Sequence, residues 1–113
     1  MDDRYEVKVT GHAEAAMREI AQYIAFELLA PEAAINLLVV LQQEMEKLAY
    51  MPGRIHLTPE EPWHSEGIHR LPVKNFYVYF WIDENRKKVQ VIDVIYIKRD
   101  QQRQLMNMPL EDE

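Results

Sequence analysis

Cysteine is absent from this 113-residue sequence, which excludes disulfides and leaves only histidine and carboxylates to hold a zinc ion. Such a composition is expected of the cytoplasm. No apolar run reaches the roughly 20 residues that a membrane helix needs, so no membrane partner is expected. The opening Met1–Val9 has neither the basic stretch nor the apolar stretch of a secretory signal. Positive charge is not in excess either. The formal net charge of −6 argues against non-specific binding to nucleic acid. Glycine occurs only three times, and 48% of the residues are hydrophobic against 28% charged, so the chain reads as globular rather than disordered. At this length the expectation is a single domain spanning 1–113, with no repeats or linkers.

The charge that is present is unevenly placed. Residues 1–66 carry five Lys/Arg and twelve Asp/Glu, a balance of −7, whereas residues 67–103 carry eight and four, a balance of +4. Residues 104–113 add three acids and no base. The basic stretch is also the most strand-like. Ile68–Val73, Phe76–Ile82 and Val89–Ile97 are rich in β-branched and aromatic residues, and Asp83-Glu84-Asn85 supplies turn chemistry between the last two. Strict alternation places Val89, Val91, Asp93, Ile95 and Ile97 on one side of the last strand. Because alternation is weak overall, both sheet faces are expected to be partly covered.

Tyr5–Val9 reads as a further strand, with Tyr5, Val7 and Val9 on one side. Thr10 is the expected cap of a helix whose inward stripe is Ala13, Ala16, Ile20, Tyr23, Ile24 and Leu28. Pro31 opens a second helix, running to about Tyr50, with Ile35, Leu38, Leu41, Met45 and Leu48 inward. Leu37–Leu41 is apolar almost all round, more than one sheet face requires, which suggests an interface with a partner or a second copy of the chain. Residues 55–66 form a proline-bearing acidic loop with an exposed Trp63, and Asp100–Met108 is long enough for a short terminal helix. The resulting class is α+β: an N-terminal strand and a helical hairpin packed on an antiparallel sheet of about four strands, closed by that short helix.

Three segments in this order carry a resemblance: Leu48-Ala49-Tyr50-Met51-Pro52-Gly53-Arg54; Gly67-Ile68-His69-Arg70-Leu71-Pro72-Val73 running on into Lys74-Asn75-Phe76-Tyr77-Val78-Tyr79-Phe80; and Val94-Ile95-Tyr96-Ile97-Lys98-Arg99-Asp100. With them the chain resembles the RelE/ParE superfamily of toxins from bacterial type II toxin–antitoxin systems, also called plasmid stabilisation proteins, from Tyr5 to Leu105. The resemblance implies a toxin neutralised by a cognate antitoxin whose flexible segment lies across the basic groove, contact with DNA only through that antitoxin, and no cofactor or metal. It leaves two activities open. RelE-like members are ribosome-dependent endoribonucleases; ParE-like members inhibit DNA gyrase and cut no RNA.

Cleaving a phosphodiester needs a base for the 2′-hydroxyl, fixed positive charge for the pentavalent phosphate and an acid for the leaving oxygen. In the RelE-like branch an arginine stands in the middle strand, where this chain has Tyr77. A phenol cannot supply fixed positive charge, so the ParE-like branch is favoured. Arg70, Lys74, Tyr77, Lys98 and Arg99 are the expected contacts to an antitoxin or target. Were the chain a nuclease, Arg70, Tyr96 and Arg99 would be its catalytic candidates. A third possibility is a non-toxic member acting only with its antitoxin.

Overall fold

The computed structural model describes residues 4–97 together with 108 and 109. The expected terminal helix, Lys98, Arg99 and Asp100 lie outside the described residues. Strand β1 is Glu6–Val9, followed by helix α1 (Gly11–Gln22) and helix α2 (Pro31–Glu46), then β2 (His69–Val73), β3 (Phe76–Asp83) and β4 (Lys88–Tyr96). Thr10 caps α1 as expected: its buried hydroxyl accepts from the Ala13 amide at 3.1 Å. Its own amide donates to the Val91 carbonyl at 3.0 Å, which fixes the start of the helix against the sheet.

The strand order is β1-β4-β3-β2. The three later strands are antiparallel, as expected, but β1 pairs with β4 in parallel, Glu6 opposite Lys88 and Val9 opposite Val91. The sheet is therefore mixed. A hydrophobic pattern records which face of a strand is buried, not the direction of its neighbour, so this pairing could not be read from β1 itself.

Between Tyr79 and Phe80 the β3–β4 register slips: Phe80 faces Val91 while Tyr79 faces Asp93, leaving Ile92 as the extra residue of a bulge. The slip overturns the simple alternation expected of β4. Val89, Val91 and Val94 join the helix-side core, whereas Ile92 and Ile95 pack on the opposite face. Asp93, displaced by the bulge, is buried and meets His12 of α1, Oδ2 to Nε2 at 3.2 Å, while its other oxygen accepts from the Val94 amide at 2.8 Å.

The helix-side core holds Ala13, Leu37, Leu41, Met45 and Leu48 against Val73, Phe76, Val78 and Phe80. The inward stripe of α2 thus starts at Ala34 and Leu37; Ile35 and Leu38, expected inside, are exposed. One residue is a 100° rotation, and with apolar side chains at 37–41 on every side the sequence could not fix the phase. In the first helix, Tyr23 and Leu28 are likewise exposed rather than inward. There the helix widens, with the Leu28 amide donating to the Tyr23 carbonyl at 3.2 Å, five residues back; the extra residue turns the apolar stripe outward before Leu29, at φ +52°, reverses the chain.

The other sheet face has its own core of Trp63, Ile68, Tyr79, Ile92, Ile95 and Met108, flanked by Tyr77 and Trp81. Trp63 is buried, not exposed as the loop's composition implied. The 55–67 loop is held to the edge strand β2 by backbone bonds, Thr58 amide to Ile68 carbonyl at 2.8 Å and Arg70 amide to His56 carbonyl at 3.1 Å, which bring its indole over the sheet.

Two outcomes follow for stability. Leu41→Ala should cost about 3 kcal/mol in urea unfolding, and Ile35→Ala should stay within about 0.5 kcal/mol; equal costs would contradict this helix phase. Burial holds the Asp93 carboxyl above its ordinary 3.8, with His12 only partly offsetting it. A raised acid is protonated in the folded chain while ionised in the unfolded one, so stability is lost as pH rises from about 4 through the folded value. Asp93→Asn should lack that loss, so the variant gains on wild type as the pH is raised over this window.

Candidate functional site

On the second face, Arg70 of β2 and Tyr77 of β3 come together, as both were expected to contribute to binding. The Arg70 guanidinium carbon lies 4.1 Å from the Tyr77 ring centroid, a cation–π contact. Tyr79, opposite Arg70 in the ladder, is buried beneath it. Arg70 also donates from one guanidinium nitrogen to Glu60 Oε2 at 3.2 Å, and the second Glu60 oxygen accepts from the buried Thr58 hydroxyl. Sequence reasoning missed Glu60, Thr58 and Tyr79. The acidity of the loop was the one available signal, since it sets a carboxylate supply opposite a basic strand.

Burial pushes the Tyr79 phenol far above its usual 10.0; the Glu60 carboxylate adds to the rise and Arg70 opposes it. Tyr79 therefore stays neutral beneath the arginine and is not a proton carrier near neutral pH.

The other expected residues are placed differently. Tyr96 packs in the helix-side core, its ring 5.4 Å from that of Phe76, on the face opposite Arg70 and Tyr77. The β4 bulge sets this parity. The structure thus does not bring Tyr96 together with Arg70, as a shared nuclease centre would require. Lys74 is exposed in the two-residue turn between β2 and β3 at φ +56°. Lys98 and Arg99 lie outside the described residues. His64 and His69 donate through Nδ1 to the backbone carbonyls of Thr58 and Ile55 at 2.9 and 2.8 Å, so both serve the loop.

Further along the same face, Lys8, Arg86 and Lys88 surround Trp81 and Gln90 in an open depression of about 560 Å³. Local acids temper its charge: Lys88 lies 3.6 Å from Glu6, and Arg86 lies 4.0 Å from Asp83. Two of these three cations thus stand near a carboxylate, which matches the depression poorly to a row of phosphates.

A second surface lies on the helical hairpin. Phe26 is 74% exposed, Leu29 83% and Ile35 61%, and Tyr23, Leu28, Leu38 and Val39 are exposed beside them in sequence. So dense a set of exposed apolar side chains in one hairpin is unusual for a chain with no partner.

The profile of the family described as "ParE toxin of type II toxin-antitoxin system, parDE" matches residues 7–101. Among solved structures, the chain is similar to one described as a chromosomal ParDE toxin–antitoxin system from P. aeruginosa, at TM-score 0.70 and 19% identity, covering 85% of this chain and 99% of that one. It is similar also to a chain of the RelBE2 toxin–antitoxin complex from Mycobacterium tuberculosis, at TM-score 0.57 and 17% identity, covering 82% and 98%. Identities this low speak for the shared fold. No curated protein matches the sequence.

The buried Tyr79 phenol yields a measurable outcome. Its folded value lies above its unfolded one, so stability is intact below pH 10 and falls as the pH rises beyond it. Tyr79→Phe should abolish that alkaline loss while costing about 1 kcal/mol at neutral pH for the lost hydroxyl. Equal alkaline limbs in denaturant unfolding would contradict the assignment.

Proposed function

The chain belongs to the ParE toxin family of type II toxin–antitoxin systems, and on that premise we propose that it poisons by binding a protein rather than by cutting RNA. The exposed apolar side chains of the hairpin carry this reading. Burying Phe26, Leu29 and Ile35 against a partner supplies association energy without chemistry. Two features of the sheet support it. Tyr77 stands in the middle strand where RelE-like members have an arginine, and Tyr96 lies across the sheet from Arg70.

The target that the family branch points to is DNA gyrase. The neutralising partner is a cognate antitoxin, which would compete by covering the hairpin, the Arg70 face or both. DNA would be met only through that antitoxin, in the cytoplasm.

The test is induced expression without an antitoxin, with cleavage sites mapped on a translated mRNA and gyrase supercoiling assayed in vitro with the purified chain. The expected result is arrested growth, intact mRNA and lost supercoiling. Phe26→Asp and Ile35→Asp should each relieve the arrest by more than about tenfold in surviving cells, since a charge forced into an apolar interface costs more than 1.4 kcal/mol. Both should leave the urea midpoint unchanged. Ribosome-dependent cuts in the mRNA would overturn the reading.

A further inference from the structure

Arg70 is already engaged by its own chain in a manner that resembles recognition. Its guanidinium carbon lies 4.1 Å from the Tyr77 ring centroid, the buried Tyr79 stands opposite it in the ladder, and a carboxylate meets it. The carboxylate belongs to Glu60, on the loop, and contacts a single guanidinium nitrogen at 3.2 Å. A carboxylate matched to an arginine usually engages two nitrogens in parallel, so this pair falls short of the best geometry open to it. It is also not sealed: the Arg70 side chain is 24% exposed and that of Glu60 27%, so water competes for both.

We propose that Arg70 on the Tyr77 ring is a carboxylate seat which Glu60 occupies in the free chain, and that an acidic side chain of a protein partner takes the seat by displacing Glu60. This deepens the protein-binding reading above and rests on it. An Asp or Glu side chain next to an apolar residue fits best, since the partly exposed Tyr77 ring lies beside the seat. Charge favours a carboxylate over a phosphodiester strand. The described site offers one arginine, with Glu60 beside it, whereas a nucleic-acid track needs several cations in line.

Exchange of this kind has a defined cost. While Glu60 holds the seat, only the open fraction of molecules can bind, and the apparent affinity falls by that fraction. Partners without a competing acid are thereby screened out, and release of the partner is followed by reclosure rather than by an unpaired arginine. Glu60 also links the seat to the Thr58 hydroxyl, so its departure is felt in the loop that carries Trp63.

The experiment uses the full chain and two labelled probes of similar charge, acetylated hexaglutamate and hexauridylate, read by fluorescence anisotropy at about 150 mM salt. Glu60→Asp keeps the charge but shortens the side chain, drawing the carboxylate off Arg70. It should bind hexaglutamate about fivefold tighter than wild type, the factor by which the closed state reduces affinity. Glu60→Gln, nearly identical in size, should show the same gain, whereas Glu66→Gln, an equal charge change on an exposed neighbour, should not. Arg70→Lys placed in the Glu60→Asp chain should remove the gain, since an ammonium cannot reproduce the stacked fork. Urea midpoints matching wild type establish that each variant is folded. No gain in Glu60→Asp, or a gain that survives Arg70→Lys, would overturn the proposal; an equal gain for hexauridylate would overturn the choice of carboxylate. None of these readings depends on whether the chain arrests growth, so this proposal and the protein-binding reading fail separately.

Discussion

The slip in register between Tyr79 and Phe80 is the constraint on which the two-sided character of this protein depends. Without it β4 would alternate to its end, and Asp93 and Ile95 would share the helix side with Val89 and Val91. That arrangement would leave Val94 outside the helix-side core. With Ile92 inserted, Val94 returns to the helix side and Ile95 moves to the second face. The shift brings Ile95 into the second core beside Ile92, and that core forms the floor against which the loop lays Trp63. Arg70 then finds an aromatic and hydroxyl surface in Tyr77 and Tyr79 instead of open water.

Asp93 is the residue that the bulge leaves in the most costly position. Its carboxylate is buried beside the N-terminal end of α1 and partnered by a half-exposed histidine and its neighbour's amide. A buried charge with two partners is tolerated where backbone geometry leaves no better place for the side chain. The contact also ties α1 to the middle of β4, complementing the bond from the Thr10 amide to the Val91 carbonyl.

Much of this was legible in the sequence. Order and approximate bounds of the strands, the Thr10 cap and the proline that opens α2 all follow from local chemistry or from the family resemblance. What was not legible depends on tertiary packing. The phase of α2 and the parity of β4 are each decided by a single-residue offset, with apolar residues to either side of it, and Trp63 is buried by the backbone bonds that hold its loop to β2. Tertiary packing chooses between the alternatives, and local periodicity does not. Glu60 was hidden for a different reason: an acid in an acidic loop carries no local mark of the one arginine it will meet.

The parallel pairing of β1 with β4 has a consequence for how the protein is made. Glu6 and Lys88 are ladder partners far apart in the described chain, so β1 leaves the ribosome well before the strand it pairs with. Contacts within the helical hairpin are local and form early, whereas β1 must wait for β4 to be synthesised. A nascent chain therefore presents the apolar outer side of its hairpin before the sheet beneath it is complete. A partner that takes the hairpin has its surface in view while the molecule is still being translated, ahead of the moment at which the fold closes.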